Sequence, residues 1–382
     1  MIKYPLFYPT INNKEEILKN IEEVLDSKFI GQGELVDKFE EEFETYLNDY
    51  YPANLGRVVS VNSGTAGLHL AYILAGIKEG DEVITPTLSC TATTHPLLWM
   101  KAIPIFADIE KDTLNIDPRD VERKITKKTK AIVVMHNGGM PCDMKEILEI
   151  ANEYNIKVIE DSCQGLGGEL FNGQKLGTIA HYGVFSLQAI KVMTMGDGGI
   201  LVCRNKEDAD RAKKLRWFSI DRSAKIAANW QPFIQRAMTF DVDEMGYKYQ
   251  ITNVDAAIGL SQLKYLQYNL EIRKKYSNIY RKELKNLEEL TLLDNDEGHA
   301  NWLFQVLVED REDFQRYLGK NGVETNIVQV RNDIYKVFKK YANACPNMDA
   351  LQDKYVSLPL NLKLKEEDIY EICNIIKQYY AL

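Results

Sequence analysis

Three short stretches carry residue types that could share one reaction. The first is VNSGTAGLHLA, residues 61–71, which reads as a strand end, a tight turn and a helix start. Gly64 lets the backbone approach a ligand, Thr65 adds a hydroxyl, and the amides of Thr65 and Ala66 open a helix N-terminus suited to an anion. No GKS or GKT follows, so this is not a P-loop, and a plain Ser/Thr helix cap would leave the same trace. The second is VIEDSCQG, residues 158–165, an apolar run ending in two carboxylates. Asp161 at its end could hold a cationic ring nitrogen, bind a metal or cap a turn. The third is SLQAIKVMTMGDGG, residues 186–199, where Lys191 stands alone between a strand candidate and a glycine turn. Partial burial would lower its pKa and make it an amine nucleophile able to form a Schiff base. The alternative is a surface lysine that snorkels to water.

Singly, each stretch has a bland explanation. Together they offer an anion seat, an acid and an amine, which match the phosphate, pyridine nitrogen and aldehyde of pyridoxal 5'-phosphate. All three follow strand candidates, and ligands of open α/β sheets sit beyond the carboxyl ends of strands. The five histidines (69, 95, 136, 181, 299) make no ligand spacing with the acids, so no metal site is expected.

The elements that must position these residues are legible as periodicity. Residues 57–61, 81–85, 103–107, 130–135, 156–160, 182–186 and 199–203 read as strands, several of them apolar almost throughout, as in sheets covered on both faces. Helical patterns at 64–76, 117–125 and 144–155 lie between them, the signature of an α/β domain with a largely parallel sheet. After GYKYQITN the pattern changes. Asn253 is placed to cap a long helix with apolar positions three and four apart, and beyond it strands at 301–308, 323–330 and 354–360 alternate with helices at 311–322 and from about Lys365. We expect a large domain over residues 1–250 and a smaller C-terminal α+β domain over 251–382, with the long helix as connector and the N-terminal segment free to pack on the small domain.

Composition narrows the function classes. With 56 acidic against 47 basic residues, the net charge of −9 argues against a nucleic-acid surface. The basic runs at 122–130 and 272–276 sit beside acids and read as solvated helix faces. Charges interrupt every apolar run, so no membrane span is expected. The six cysteines form no CxxC and lie in apolar segments, which suits reduced thiols and a cytoplasmic location.

From FIGQGELVDKFEEEFETYL (29–47) to SLPLNLKLKEEDI (357–369), the chain resembles the DegT/StrS family of pyridoxal-phosphate-dependent sugar aminotransferases. The most specific segments are NSGTAGLHLA, GDEVITPT, VIEDSCQGLGG, FSLQAIKVMTMGDGG and GYKYQITNVDAAIGLSQL. The resemblance implies a fold type I transferase, with a large domain built on a mostly parallel mixed sheet. It also implies L-glutamate as amino donor, a keto-sugar acceptor, a pyridoxamine phosphate half-way form, and a homodimer with shared active sites. By position, Lys191 matches the lysine that carries the cofactor, Asp161 the partner of the ring nitrogen, and Gln164 the neighbour of the ring oxygen. Gly64, Thr65, Ala66 and Ser186 match phosphate-binding positions, and Lys248 falls where the neighbouring subunit usually donates an asparagine.

The sequence also departs from the family pattern. Cys90 stands where an aromatic ring usually covers the cofactor, His95 where an asparagine is common, and NGGM replaces the residues between His136 and Pro141. Arg331 lies where many members have a histidine-containing acceptor motif; it could grip an anionic group of the substrate or pair with Asp333. These changes fall on the acceptor side and leave three readings open. The acceptor is a nucleotide-linked keto-sugar or a small phosphorylated ketone, and a sugar dehydratase is disfavoured because its histidine would replace Lys191. A non-catalytic scaffold on the same fold would lack the lysine.

Overall fold

The computed structural model describes residues 2–47, 56–170, 172–221, 242–293 and 298–381. Its main sheet has seven strands among the described residues: β1 (Val58–Val61), β2 (Glu82–Pro86), β4 (Ile103–Ala107), β5 (Thr129–Met135), β6 (Lys157–Asp161), β7 (Tyr182–Ser186) and β8 (Gly199–Cys203). Between β2 and β4 comes the two-residue β3 (Leu88–Ser89), which lies outside this sheet. The spatial order is β1-β8-β7-β6-β5-β2-β4. Strands β4, β2, β5, β6 and β7 are mutually parallel; β8 runs against β7, and β1 runs against β8. Two reversals cancel, so β1 points the same way as β7 and β6. The carboxyl ends of all three therefore lie along one edge.

Near-continuous apolar runs explain why both faces are covered. Val133 and Ile159 face a cluster with Leu68 and Leu70 of α3 (Gly64–Leu74) and Ala209 and Ala212 of α7 (Lys206–Leu215). Their neighbours Ile132, Val134 and Val158 face the opposite cluster, with Ile147 and Ala151 of α6 (Met144–Glu153). That is the two-residue alternation of a strand, with a helix layer on each side. Ser63 caps α3 by accepting from the Ala66 amide at 3.1 Å.

The C-terminal part builds a second core. Strands β9 (Leu290–Leu292), β10 (Phe304–Val308) and β12 (Tyr355–Leu358) form an antiparallel sheet in the order β12-β10-β9. It packs on α9 (Leu266–Leu284), α10 (Arg311–Lys320) and α12 (Glu366–Tyr380). Tyr4 lies inside this cluster, and Lys3 pairs with Glu371. The N-terminal segment thus packs on the C-terminal part. The parts are joined by β11 (Val330–Arg331), paired antiparallel with β3. No helix among the described residues is long and apolar enough to cross a membrane.

Three expectations change. Thr252, not Asn253, caps the connecting helix, in a capping box with Asp255; Asn253 is its first residue and donates its side chain to the Phe29 carbonyl at 3.0 Å. The single long helix is two, α8 (Asn253–Leu263) and α9, separated at Lys264 and Tyr265. The strand expected over 323–330 is mostly irregular; only Val330–Arg331 forms a strand, with isolated bridges from Val323 to Tyr4 and from Asn326 to Ser357.

Candidate active site

The shared sheet edge gathers the residues that chemistry singled out. Val61 and Ser186 both sit opposite Gly199 in register, so the turn after β1, the end of β7 and the start of β8 meet. Asp161 closes β6 beside them, in register with Val184. The turn at Gly64 is tight: a Cβ there would stand 2.7 Å from Cys163 Sγ and 3.1 Å from Ser186 Cβ. Only glycine leaves that space open. The leading amides of α3 have no intrahelical acceptor and point out of its N-terminus. The Ala66 amide, expected to face the anion, is instead held by Ser63 Oγ. The Gly64 and Thr65 amides are the ones this turn offers. The space, the donors and the helix end fit a phosphate ester.

Asp161 is buried, 2% exposed, with both oxygens held. Thr93 Oγ1 donates to Oδ2 at 2.6 Å, and the Cys163 amide donates to Oδ1 at 3.1 Å. Thr93 reaches it from α4 (Thr91–Trp99), whose N-cap residue is Cys90. Cys90 is exposed and Cys163 half-buried. Burial, and next the nearby Asp161 charge, push the Cys163 thiol well up, so it is neutral packing and not a thiolate. Gln164 is fixed by its carbonyl: Oε1 accepts from the Gly138 amide at 2.7 Å, while Nε2 lies 3.3 Å from Met135 Sδ.

Lys191 follows β7 on an irregular loop, its own amide donating to the Gln188 carbonyl at 2.9 Å. Its Nζ lies 3.8 Å from the centre of the Trp302 ring. Burial lowers its pKa from the usual 10.5; Cys163, Cys90 and Asp161 pull the other way, less strongly. A more readily deprotonated amine, a fixed carboxylate and a helix N-terminus at one edge can hold an anionic aldehyde and shuttle a proton. This donor set fits pyridoxal phosphate.

The acceptor-side candidates fare differently. Arg331 is buried and its fork is already filled. Nε and Nη2 donate to the two oxygens of Asp333 at 2.7 and 2.6 Å, and Nη1 donates to Asp349 at 2.5 Å. These carboxylates hold its pKa above the usual range. The substrate grip considered for Arg331 gives way to its alternative, an ion pair, because no pair of N–H groups is left to aim elsewhere. His136 is fully buried: Nδ1 accepts from the Cys142 amide at 3.1 Å, which leaves the proton on Nε2, 3.2 Å from Glu160. Both ring nitrogens are committed, so His136 braces the turn beneath Gln164 and does not face substrate. His95 is half-buried, with Nδ1 2.9 Å from the Thr91 carbonyl and its ring edge-on to Phe338. Lys248 is exposed, and its carbonyl accepts from Asn62 Nδ2 at 3.4 Å, next to the Gly64 turn of the same chain.

Sequence reasoning missed Thr93 and Trp302. Thr93 lies between Cys90 and His95, but a hydroxyl seven residues past a strand gives no direction. Trp302 is 111 positions from Lys191 and carries no local signal at all. It also missed that Glu160 is structural: its carboxylate accepts from the Gly177, Ile179 and Ala180 amides at 2.7, 2.7 and 2.6 Å.

Comparison with known proteins gives the family. The sequence matches the DegT/DnrJ/EryC1/StrS aminotransferase family over residues 11–377. It is 31% identical to a GDP-perosamine synthase of Escherichia coli O157:H7, over the full length of both chains. It is also 31% identical to the spore coat polysaccharide biosynthesis protein SpsC of Bacillus subtilis, covering 98% of this chain and 96% of that one. Among solved structures, the sugar aminotransferase CalS13 from Micromonospora echinospora superposes with a TM-score of 0.89 at 30% identity, covering 99% of this chain and all of the other.

Proposed function

The chain belongs to the DegT/DnrJ/EryC1/StrS aminotransferase family and is a pyridoxal-phosphate-dependent aminotransferase, and from that premise we propose that it moves the amino group of L-glutamate onto a nucleotide-linked keto-sugar. The observation that carries the site assignment is the sheet edge where Lys191, Asp161 and the α3 N-terminus meet. The acceptor class is supported by relatives such as the GDP-perosamine synthase, whose name specifies a GDP-linked sugar.

Bound there, the cofactor supplies an electrophilic carbon and a ring that absorbs electrons from a deprotonated substrate carbon. The protein's part follows from its own groups. Lys191 Nζ is the covalent anchor and, once displaced, the base that takes and returns a proton; burial favours the neutral form needed for both. Asp161 holds positive charge on the ring nitrogen, and Thr93 with the Cys163 amide keeps its oxygens in place. Gln164 would meet the ring oxygen, and Gly64, Thr65 and Ser186 would hold the phosphate. Cys90 would cover a ring face by packing, without the quadrupole of an aromatic ring.

The working unit in this reading is a cytoplasmic homodimer in which Lys248 serves the neighbouring subunit's phosphate seat. Residues 1–250 hold the cofactor, and 251–382 form the smaller domain. The test is a panel of ketones added to the pyridoxamine-loaded enzyme, following return of the visible band, with Lys191→Ala as control. Nucleotide-linked keto-sugars should restore the band at least about 10²-fold faster than small phosphorylated ketones, and the control should neither show the band nor turn over. Preference for a small phosphorylated ketone would overturn the acceptor; turnover by Lys191→Ala would overturn the anchor.

A further inference from the structure

The turn after β5, Asn137–Gly138–Gly139, is braced from both sides. Toward the site, the Gly138 amide donates to Gln164 Oε1 at 2.7 Å. From the C-terminal part, the Leu303 amide donates to the Gly138 carbonyl and the Ala300 amide to the Gly139 carbonyl, each at 2.9 Å. Asn137 Nδ2 donates to Gln305 Oε1, also at 2.9 Å. Asn115 holds the near side, accepting from the Asn137 amide at 2.9 Å. Gly138 sits at φ +64°, and a Cβ on it would stand 2.8 Å from Gln305 Oε1, so neither backbone nor space admits a side chain. This is the NGGM segment that departs from the family pattern.

The turn decides which way Gln164 faces. A thioether is a weak acceptor, so the contact of Nε2 with Met135 Sδ does little to orient the amide; the Gly138 bond to Oε1 does most of it. The Gly138 amide is in turn aimed by residues 300–305, the lead-in to β10. Asn137 Oδ1 and Gln305 Nε2 are buried without a partner, so the single bond between the two carboxamides is their whole connection.

We propose that Asn137 and Gln305 are positioning residues for Gln164, through which the seat of the C-terminal sheet sets the hydrogen bond Gln164 offers to the cofactor's ring oxygen. The inference rests on the reading that Gln164 meets that oxygen. Were the Gly138 amide to move, Gln164 could turn its carbonyl toward the ring and repel the charge it should stabilise. A donated hydrogen bond favours the more negative state, so its loss moves the protonation midpoint of the bound cofactor upward.

The experiment is a pH titration of the visible band of the holoenzyme, with thermal midpoints recorded to verify folding. Gln305→Leu, Asn137→Ala and Gln164→Ala should each raise the midpoint, by about one unit for Gln164→Ala and less for the others. In the Gln164→Ala background, Gln305→Leu should add nothing, a non-additivity that general destabilisation would not produce. An unmoved midpoint in both Gln305→Leu and Asn137→Ala, with Gln164→Ala shifted, overturns the relay alone. A shift by Gln305→Leu that persists without Gln164 also overturns it. An unmoved midpoint in Gln164→Ala overturns the Gln164 reading and the relay with it.

Discussion

Lys191 Nζ lies 3.8 Å from the centre of the Trp302 ring, and Trp302 Nε1 donates to the carbonyl of Ile190 at 3.0 Å. The tryptophan therefore covers the amine with its face and ties down the adjacent backbone with its edge. A ring in this position attracts the ammonium form weakly, while the burial it helps create opposes charge more strongly, and the net pKa is lowered.

Trp302→Leu should admit water to Lys191 and move its pKa back toward 10.5. At neutral pH the apoenzyme should then capture pyridoxal phosphate about three- to tenfold more slowly, because less amine is neutral. Trp302→Phe keeps the face but loses the bond to Ile190, and should fall between. Stopped-flow absorbance against pH gives both numbers; an unchanged midpoint in Trp302→Leu would remove the desolvation argument.

Asp161→Asn should retain the fold and lose about 10²-fold or more in kcat, since the charge opposite the ring nitrogen is gone. Thr93→Val removes only the 2.6 Å hydrogen bond and should cost about 1 kcal/mol, roughly fivefold in rate. Steady-state kinetics on both variants ranks charge against orientation. Equal losses would mean that the threonine, not the charge, is limiting.

Glu160→Gln should destabilise the protein by about 3 kcal/mol, because one carboxylate accepts from three amides, two of them buried, and faces His136. The segment 177–180 should become the fastest-exchanging backbone near the sheet by hydrogen exchange. Thermal melting within error of the parent protein would contradict this.

His69 is buried among Trp99, Tyr247 and Tyr249, with Nδ1 3.0 Å from the Tyr249 hydroxyl. Burial pulls its pKa from 6.5 to about 4. Between those values the unfolded chain binds more protons than the folded one. Stability is therefore full above pH 6.5 and declines as pH falls toward 4, by up to about 3 kcal/mol. His69→Phe should flatten this part of the denaturation curve, measured by urea unfolding at pH 7 and pH 4.5.

Much of the fold is legible because strand and helix periods are local. The strands 103–107, 182–186 and 199–203 match the structure residue for residue. Asp161 and Lys191 stand out in the sequence for the same reason: each is a charged residue just past an apolar run. Direction is not local. Nothing in VVSV states that β1 runs against β8, and that pairing is what brings Gly64 to the edge shared by Asp161. The filled fork of Arg331 was equally hidden, since Asp349 lies 18 residues away on α11 (Pro346–Leu351). The break at Lys264–Tyr265 escapes a pattern search because the apolar spacing continues through it.

The main sheet alternates its chain order so that the edge holding Gly64, Asp161 and Lys191 is assembled from both early and late portions of the polypeptide, with Trp302 contributed from beyond the connecting helices. A fragment that ends before Trp302 lacks the ring that covers Lys191. Acquisition of yellow colour during refolding thus reports that these distant portions have come together, and a cofactor that binds only the assembled pocket would add to the stability of the native state.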